Sequence, residues 1–139
     1  MAGVCVLAWL AVLSLYDIRD RRLPNWLTIP GAVVILVAAA AAERGEPAVI
    51  GAAALFIVYL VVHLLVPAAM GAGDVKLAIG VGALTGAFGI DAWALAAVGA
   101  PLLTAVGAIV AVVRRSASTV PHGPSMCLAA AAACVLVVL

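Results

Sequence analysis

Residues 48–67 read AVIGAAALFIVYLVVHLLVP. No Asp, Glu, Lys or Arg interrupts them. At about 1.5 Å per residue a helix of that length covers about 30 Å, the thickness of the hydrocarbon core of a bilayer. A water-soluble fold would have to bury such a segment on every side. The rest of the chain does not allow this: of 139 residues, 68% are hydrophobic and 9% charged, too little polar surface to wrap a core of that size. The solvent of this chain is therefore lipid.

Working outward from this run, charges and Pro/Gly clusters divide the chain into further apolar stretches. They predict helices over 2–19, 26–42, 75–90, 92–113 and 124–139, with the spans at 75–90 and 124–139 the short ones. Ala, Leu and Val fill uninterrupted blocks, without the alternation of a membrane β-strand. The fold class expected is an all-α integral membrane protein, a bundle of about six transmembrane helices forming a single domain over 1–139. The polar stretches 19–25, 43–47 and 114–124 are too short to fold alone, so function belongs in the bundle or at its rim.

Orientation follows from Lys and Arg. Arg19, Arg21, Arg22, Lys76, Arg114 and Arg115 fall on one side of the predicted layout and Arg44 alone on the other. The positive-inside rule makes the first side cytoplasmic. The first helix has no basic residue before it and an Arg cluster after it, which reads as a retained helix rather than a cleaved signal, with both chain termini outside. The balance of seven basic against six acidic residues shows no nucleic-acid footprint. Cys5, Cys127 and Cys134 form no paired CxxC spacing and read as small, lipid-compatible side chains. Gly82 and Gly86, at GxxxG spacing, read as an intramolecular packing surface; the oligomeric state is left open.

Charged groups in or beside hydrocarbon cost several kcal/mol unless paired or hydrated, so the acidic residues at helix margins are where chemistry is to be sought. Asp17 lies at the cytoplasmic end of the first helix, ahead of Leu23-Pro24-Asn25, where Pro24 ends one element and Asn25 is placed to cap the next. Taken alone, Asp17 reads as a helix-end carboxylate paired with Arg21 at i,i+4. Asp74 follows Gly71-Ala72-Gly73, two glycines that let a backbone bend and approach a peptide, and taken alone reads as an N-cap. Together the two differ from unrelated caps, because the loop count puts both at the same face and similar depth. Two carboxylates that share a site cannot both ionise cheaply, so the pair can hold one proton. It can then activate water against a peptide carbonyl and protonate the leaving amine.

The other candidates are weaker. Ser14, Ser116, Ser118 and Ser125 lack the Gly-x-Ser-x-Gly context of a nucleophile elbow. His63 and His122 stand apart from each other and from any carboxylate cluster, so no metal site is expected. His63, among Val61, Val62, Leu64 and Leu65, reads as a hydrogen-bonded intramembrane histidine. Asp20, Glu43, Glu46 and Asp91 read as solvated loop charges.

Three segments carry a family resemblance: Asp17 with Leu23-Pro24-Asn25, Gly71-Ala72-Gly73-Asp74, and Pro121-His122-Gly123-Pro124. Together they resemble the type IV prepilin peptidases, with which the archaeal preflagellin peptidases share a GxGD pattern. The resemblance covers nearly the whole chain. It implies a membrane-embedded aspartic endopeptidase that removes a short basic leader from prepilins or pseudopilins at the cytoplasmic face of the inner membrane. Asp17 and Asp74 match the catalytic pair, and no cofactor is implied. Gly71 and Gly73 match the motif glycines. Lys76 stands at a position often basic in relatives, either orienting Asp74 or anchoring the helix. Pro121, Gly123 and Pro124 match the entry to the last helix, where His122 replaces a usually aromatic or small residue. The cysteine-paired loop of the bifunctional, methylating members has no counterpart here, and the short form is similar to peptidases of tight-adherence (Flp-type) pili. Two other readings compete. In a non-catalytic scaffold of a pilus or secretion system the aspartates would be caps and Arg partners. A proton-relaying transporter would place its polar residues along a midplane path.

Overall fold

A computed structural model describes residues 1–117 and 119–139; Ser118, one of the serines set aside above, lies outside the described residues. The chain forms six α-helices: α1 Ala2–Asp20, α2 Asn25–Ala41, α3 Gly45–Leu65, α4 Ala72–Phe88, α5 Ile90–Val113 and α6 His122–Val138. All six expected helices are present, and the all-helical membrane bundle stands. α3, α4, α5 and α6 begin two or three residues earlier than their apolar runs. In α3 and α6 the reason is a proline in the first turn, Pro47 and Pro124, where a missing N–H costs no helical bond.

α1, α3 and α5 are each long and apolar enough to cross a membrane, while α2 and α6 are apolar helices of 17 residues. α4 is different. It too has 17 residues, about 25 Å of helix, but it is wrapped by α2, α3, α5 and α6. Val75, Leu77, Ala78 and the run from Gly80 to Gly86 are all buried. Outward side chains such as Val34, Val37, Ile57, Leu102, Ile109 and Leu136 are exposed, which suits a lipid-facing perimeter.

Small residues set how closely α4 is wrapped. A Cβ added to Gly82 would meet the Gly51 backbone of α3, its carbonyl carbon at 2.9 Å, and one added to Gly86 would lie 3.0 Å from Gly51 Cα. The Gly82/Gly86 pair is thus an intramolecular contact that lets two backbones touch, as small residues do between membrane helices. From α5, Trp93 Nε1 donates to Gly51 O at 3.0 Å. On the opposite flank Trp9 Nε1 of α1 donates to Leu27 O of α2 at 3.0 Å, with its ring over Gly31 and Gly80. Gly82→Ala is expected to lower stability by about 1–3 kcal/mol, read as a lower melting temperature in detergent. The backbone it meets cannot step aside as a side chain end would.

The chain reverses between α2 and α3, and again after α5, through the same hydrogen-bonded pattern. Glu43 and Arg115 take left-handed backbone (φ 59° and 52°). The next amide in each case reaches back to the helix, Arg44 N to Ala39 O at 2.8 Å and Ser116 N to Ala111 O at 2.9 Å. Arg44 Nη1 also donates to Ala87 O at the end of α4. At the other end of the bundle, Arg21 is bonded to Thr119 and Lys76 to Asn25. Arg44 therefore lies at one end of the bundle, and the α1–α2 and α5–α6 connections, which carry Arg21, Arg22, Arg114 and Arg115, lie at the opposite end with Arg19 in the last turn of α1 and with Lys76.

Candidate active site

That basic end is built from the last turn of α1, the first turns of α2, α4 and α6, and the connections between them. Asp17 is in the last turn of α1 and is buried, 8% exposed. Its Oδ2 accepts the Gly123 N–H at 3.0 Å. Gly123 is the second residue of α6, so an aspartate from one helix caps the amino end of another, a position where unpaired amides and the helix dipole favour an anion. A Cβ added to Gly123 would fall 2.5 Å from Asp17 Oδ2. Glycine is required there by close approach.

Asp74 is the third residue of α4, and its carboxylate lies over the start of that helix, where a Cβ added to Gly71 would meet Asp74 Oδ2 at 3.5 Å. Gly71 holds the N-cap of α4. Asp74 is therefore not the cap itself, as a sequence reading suggested. The glycines also act differently from the bend expected of them. Gly71 has ordinary extended backbone, φ −73° and ψ 150°, and among the described residues the one positive-φ glycine is Gly89, between α4 and α5. What Gly73 provides is contact: a Cβ there would lie 3.3 Å from Leu23 Cβ. The Gly71–Asp74 turn is thus seated on the Leu23-Pro24-Asn25 turn.

Asn25 is not a cap either. Pro24 occupies the N-cap of α2 in extended geometry, and its carbonyl accepts from Leu27 N, Thr28 N and Thr28 Oγ1. The Asn25 carboxamide is left free to face α4, where its Oδ1 accepts Lys76 Nζ at 3.0 Å. Lys76 does not pair with Asp74; it ties α4 to α2. Arg21, the expected partner of Asp17, bonds Thr119 before α6, although its charge still acts on Asp17.

Asp17 and Asp74, 57 positions apart in sequence, are close enough for their charges to act on one another. Cys127 Sγ, buried in the second turn of α6, feels both carboxylates. Around the two aspartates the structure gathers all three motif segments: 17–25, 71–76 and 121–124.

The type IV leader peptidase family matches residues 4–139. This chain belongs to the type IV leader peptidase family. Comparison with curated proteins and with solved structures returns no match. Membership in the leader peptidase family makes the chain a peptidase by kinship, of a kind that acts on prepilins, and its apolar helices make it a membrane protein.

Against this leader-peptidase frame, several residues near the aspartates carry no sequence signal. Tyr59 of α3 lies where the charge of Asp74 acts on it, and its Oη is 3.1 Å from His122 Nε2. Thr104 Oγ1 of α5 is 2.7 Å from His122 Nδ1. These three residues line one end of a groove of about 430 Å³ between α3 and α5, walled mainly by apolar side chains such as Leu55, Val62, Ala97 and Pro101. His63, as expected, is hydrogen-bonded, its Nδ1 2.6 Å from Met70 O. Within a Val/Leu-rich run Tyr59 looks like packing, and Thr104 like a helix threonine bonded to Ala100 O.

Proposed function

We propose that this chain is a membrane-embedded aspartic endopeptidase of the GxGD type that removes the basic leader from type IV, Flp-like prepilins or pseudopilins, with Asp17 and Asp74 as its catalytic pair. The observation that carries this reading is the convergence of the two carboxylates at the end of the bundle where the basic residues collect. By the positive-inside rule that end faces the cytoplasm, which places both termini outside and the cleaved bond at the inner face of the cytoplasmic membrane. A single domain over 1–139 then holds the whole site.

One carboxylate takes a proton from water as its oxygen attacks the scissile carbonyl carbon. The other, carrying the shared proton, gives it to the amide nitrogen as the C–N bond breaks. No covalent enzyme intermediate is formed. The Gly123 amide holds the Asp17 side chain in place, and the Leu23-Pro24-Asn25 and Pro121–Pro124 segments set the helix ends around the pair.

The test is co-expression with a Flp-type prepilin, followed by immunoblotting. A leader-sized shift that requires this chain supports the reading. Precursor left uncut beside correctly inserted protein refutes it in favour of the scaffold.

A further inference from the structure

His122 is the first residue of α6, and each of its two ring nitrogens meets a side chain of another helix. A count of hydrogens assigns their direction. Thr104 has one hydroxyl hydrogen, and its Oγ1 lies 3.1 Å from Ala100 O. With that hydrogen donated to the carbonyl, Thr104 Oγ1 accepts from His122 Nδ1–H. Nε2 then carries a lone pair, and Tyr59 O–H donates to it. The result is one continuous chain, Tyr59 to His122 to Thr104 to Ala100 O, with each hydrogen used once and the imidazole neutral.

Two members of this chain bear on the aspartates. Tyr59 lies where the charge of Asp74 reaches it. His122 is joined to Gly123 by the peptide unit whose N–H holds Asp17 Oδ2. Because a peptide unit is planar, the direction of that N–H is set by the backbone torsion at His122. An imidazole pinned to α3 on one side and α5 on the other fixes that torsion from outside α6.

Resting on the aspartic-peptidase reading, we propose that His122 is a positioning residue, and that the Tyr59–His122–Thr104 chain aims the Gly123 amide at Asp17 and so sets the spacing of the two carboxylates. The ring nitrogens bond Tyr59 and Thr104 and not the carboxylates; the ring acts through the peptide that follows it. The competing role is direct contact with substrate, since all three side chains line the groove between α3 and α5.

The two roles separate in steady-state kinetics on a purified prepilin in detergent. For positioning, His122→Ala lowers kcat by about 10- to 100-fold, the cost of misplacing a reacting group by about 1 Å, and leaves KM unchanged. His122→Asn, whose amide nitrogen can replace Nδ1–H toward Thr104, recovers part of the loss. Tyr59→Phe and Thr104→Val each lower kcat, and adding either to His122→Ala costs little more, because both act through the same ring. Wild-type kcat in His122→Ala, a rise in KM alone, or losses that multiply would each overturn the proposal. If His122→Ala melts too early to assay, the near-isosteric Tyr59→Phe and Thr104→Val decide: unchanged kcat in both refutes it. Wild-type protein that cuts no prepilin overturns the peptidase reading and this one together, whereas wild-type cleavage that is lost in Asp17→Asn but kept in His122→Ala overturns this one alone.

Discussion

Asp17→Asn and Asp74→Asn are each expected to lower prepilin cleavage by about 10²- to 10⁴-fold, the range attributed to a positioned general acid or base. Both replacements keep the shape of the side chain. Asp17→Asn also keeps an oxygen to accept the Gly123 N–H that Asp17 now holds, so the helix end it stabilises should survive. What is lost is the ability to exchange a proton. Since the two carboxylates work as a unit, the double variant should be hardly slower than either single one. Turnover of a purified prepilin, followed by the released leader, measures this. Cleavage at the wild-type rate in either folded single variant would return the aspartates to the role of caps and support a scaffold.

Gly123→Ala is expected to have the next largest effect, about 10²-fold on turnover, although it adds a single methyl group. That carbon would sit 2.5 Å from Asp17 Oδ2 and 3.0 Å from its Cγ, so the carboxyl group must leave its place on the amide. Gly99→Ala is the control, for there the new carbon meets Ala129 Cβ at 3.4 Å, an ordinary contact, and activity should be retained. Kinetics of the two variants beside their melting temperatures distinguish displacement of Asp17 from a general loss of packing. Full activity in Gly123→Ala would mean that the Gly123–Asp17 contact has no part in catalysis.

Much of this architecture is legible in the chain because lipid imposes long apolar runs. The segment 48–67 announces α3, and charges or proline mark where the other helices stop. The helix starts were harder to read. Pro47 and Pro124 look like boundaries, yet a proline in the first turn belongs to the helix. The aspartates were legible as a pair because each closes or opens a helix at the same predicted face. Their partners were not. Asn25 has the composition of a cap, but Pro24 takes that place and leaves its carboxamide to Lys76. The glycines of Gly71–Asp74 suggest a bend, while Gly73 serves contact with Leu23. Tyr59, Thr104 and His122 come from three helices, so no local spacing ties them together. Only the packing of α3, α5 and α6 around α4 does so.

Cleavage by a shared carboxylate pair requires Asp17 and Asp74 to meet in the membrane-embedded protein. That meeting is tested most directly by cross-linking Asp17→Cys with Asp74→Cys in a chain from which Cys5, Cys127 and Cys134 have been removed. A short bis-maleimide applied to membranes should join the two positions as efficiently as it joins Asn25→Cys to Lys76→Cys, which the hydrogen bond between those side chains places together. Efficient linkage of the reference pair with none between positions 17 and 74 would contradict the account.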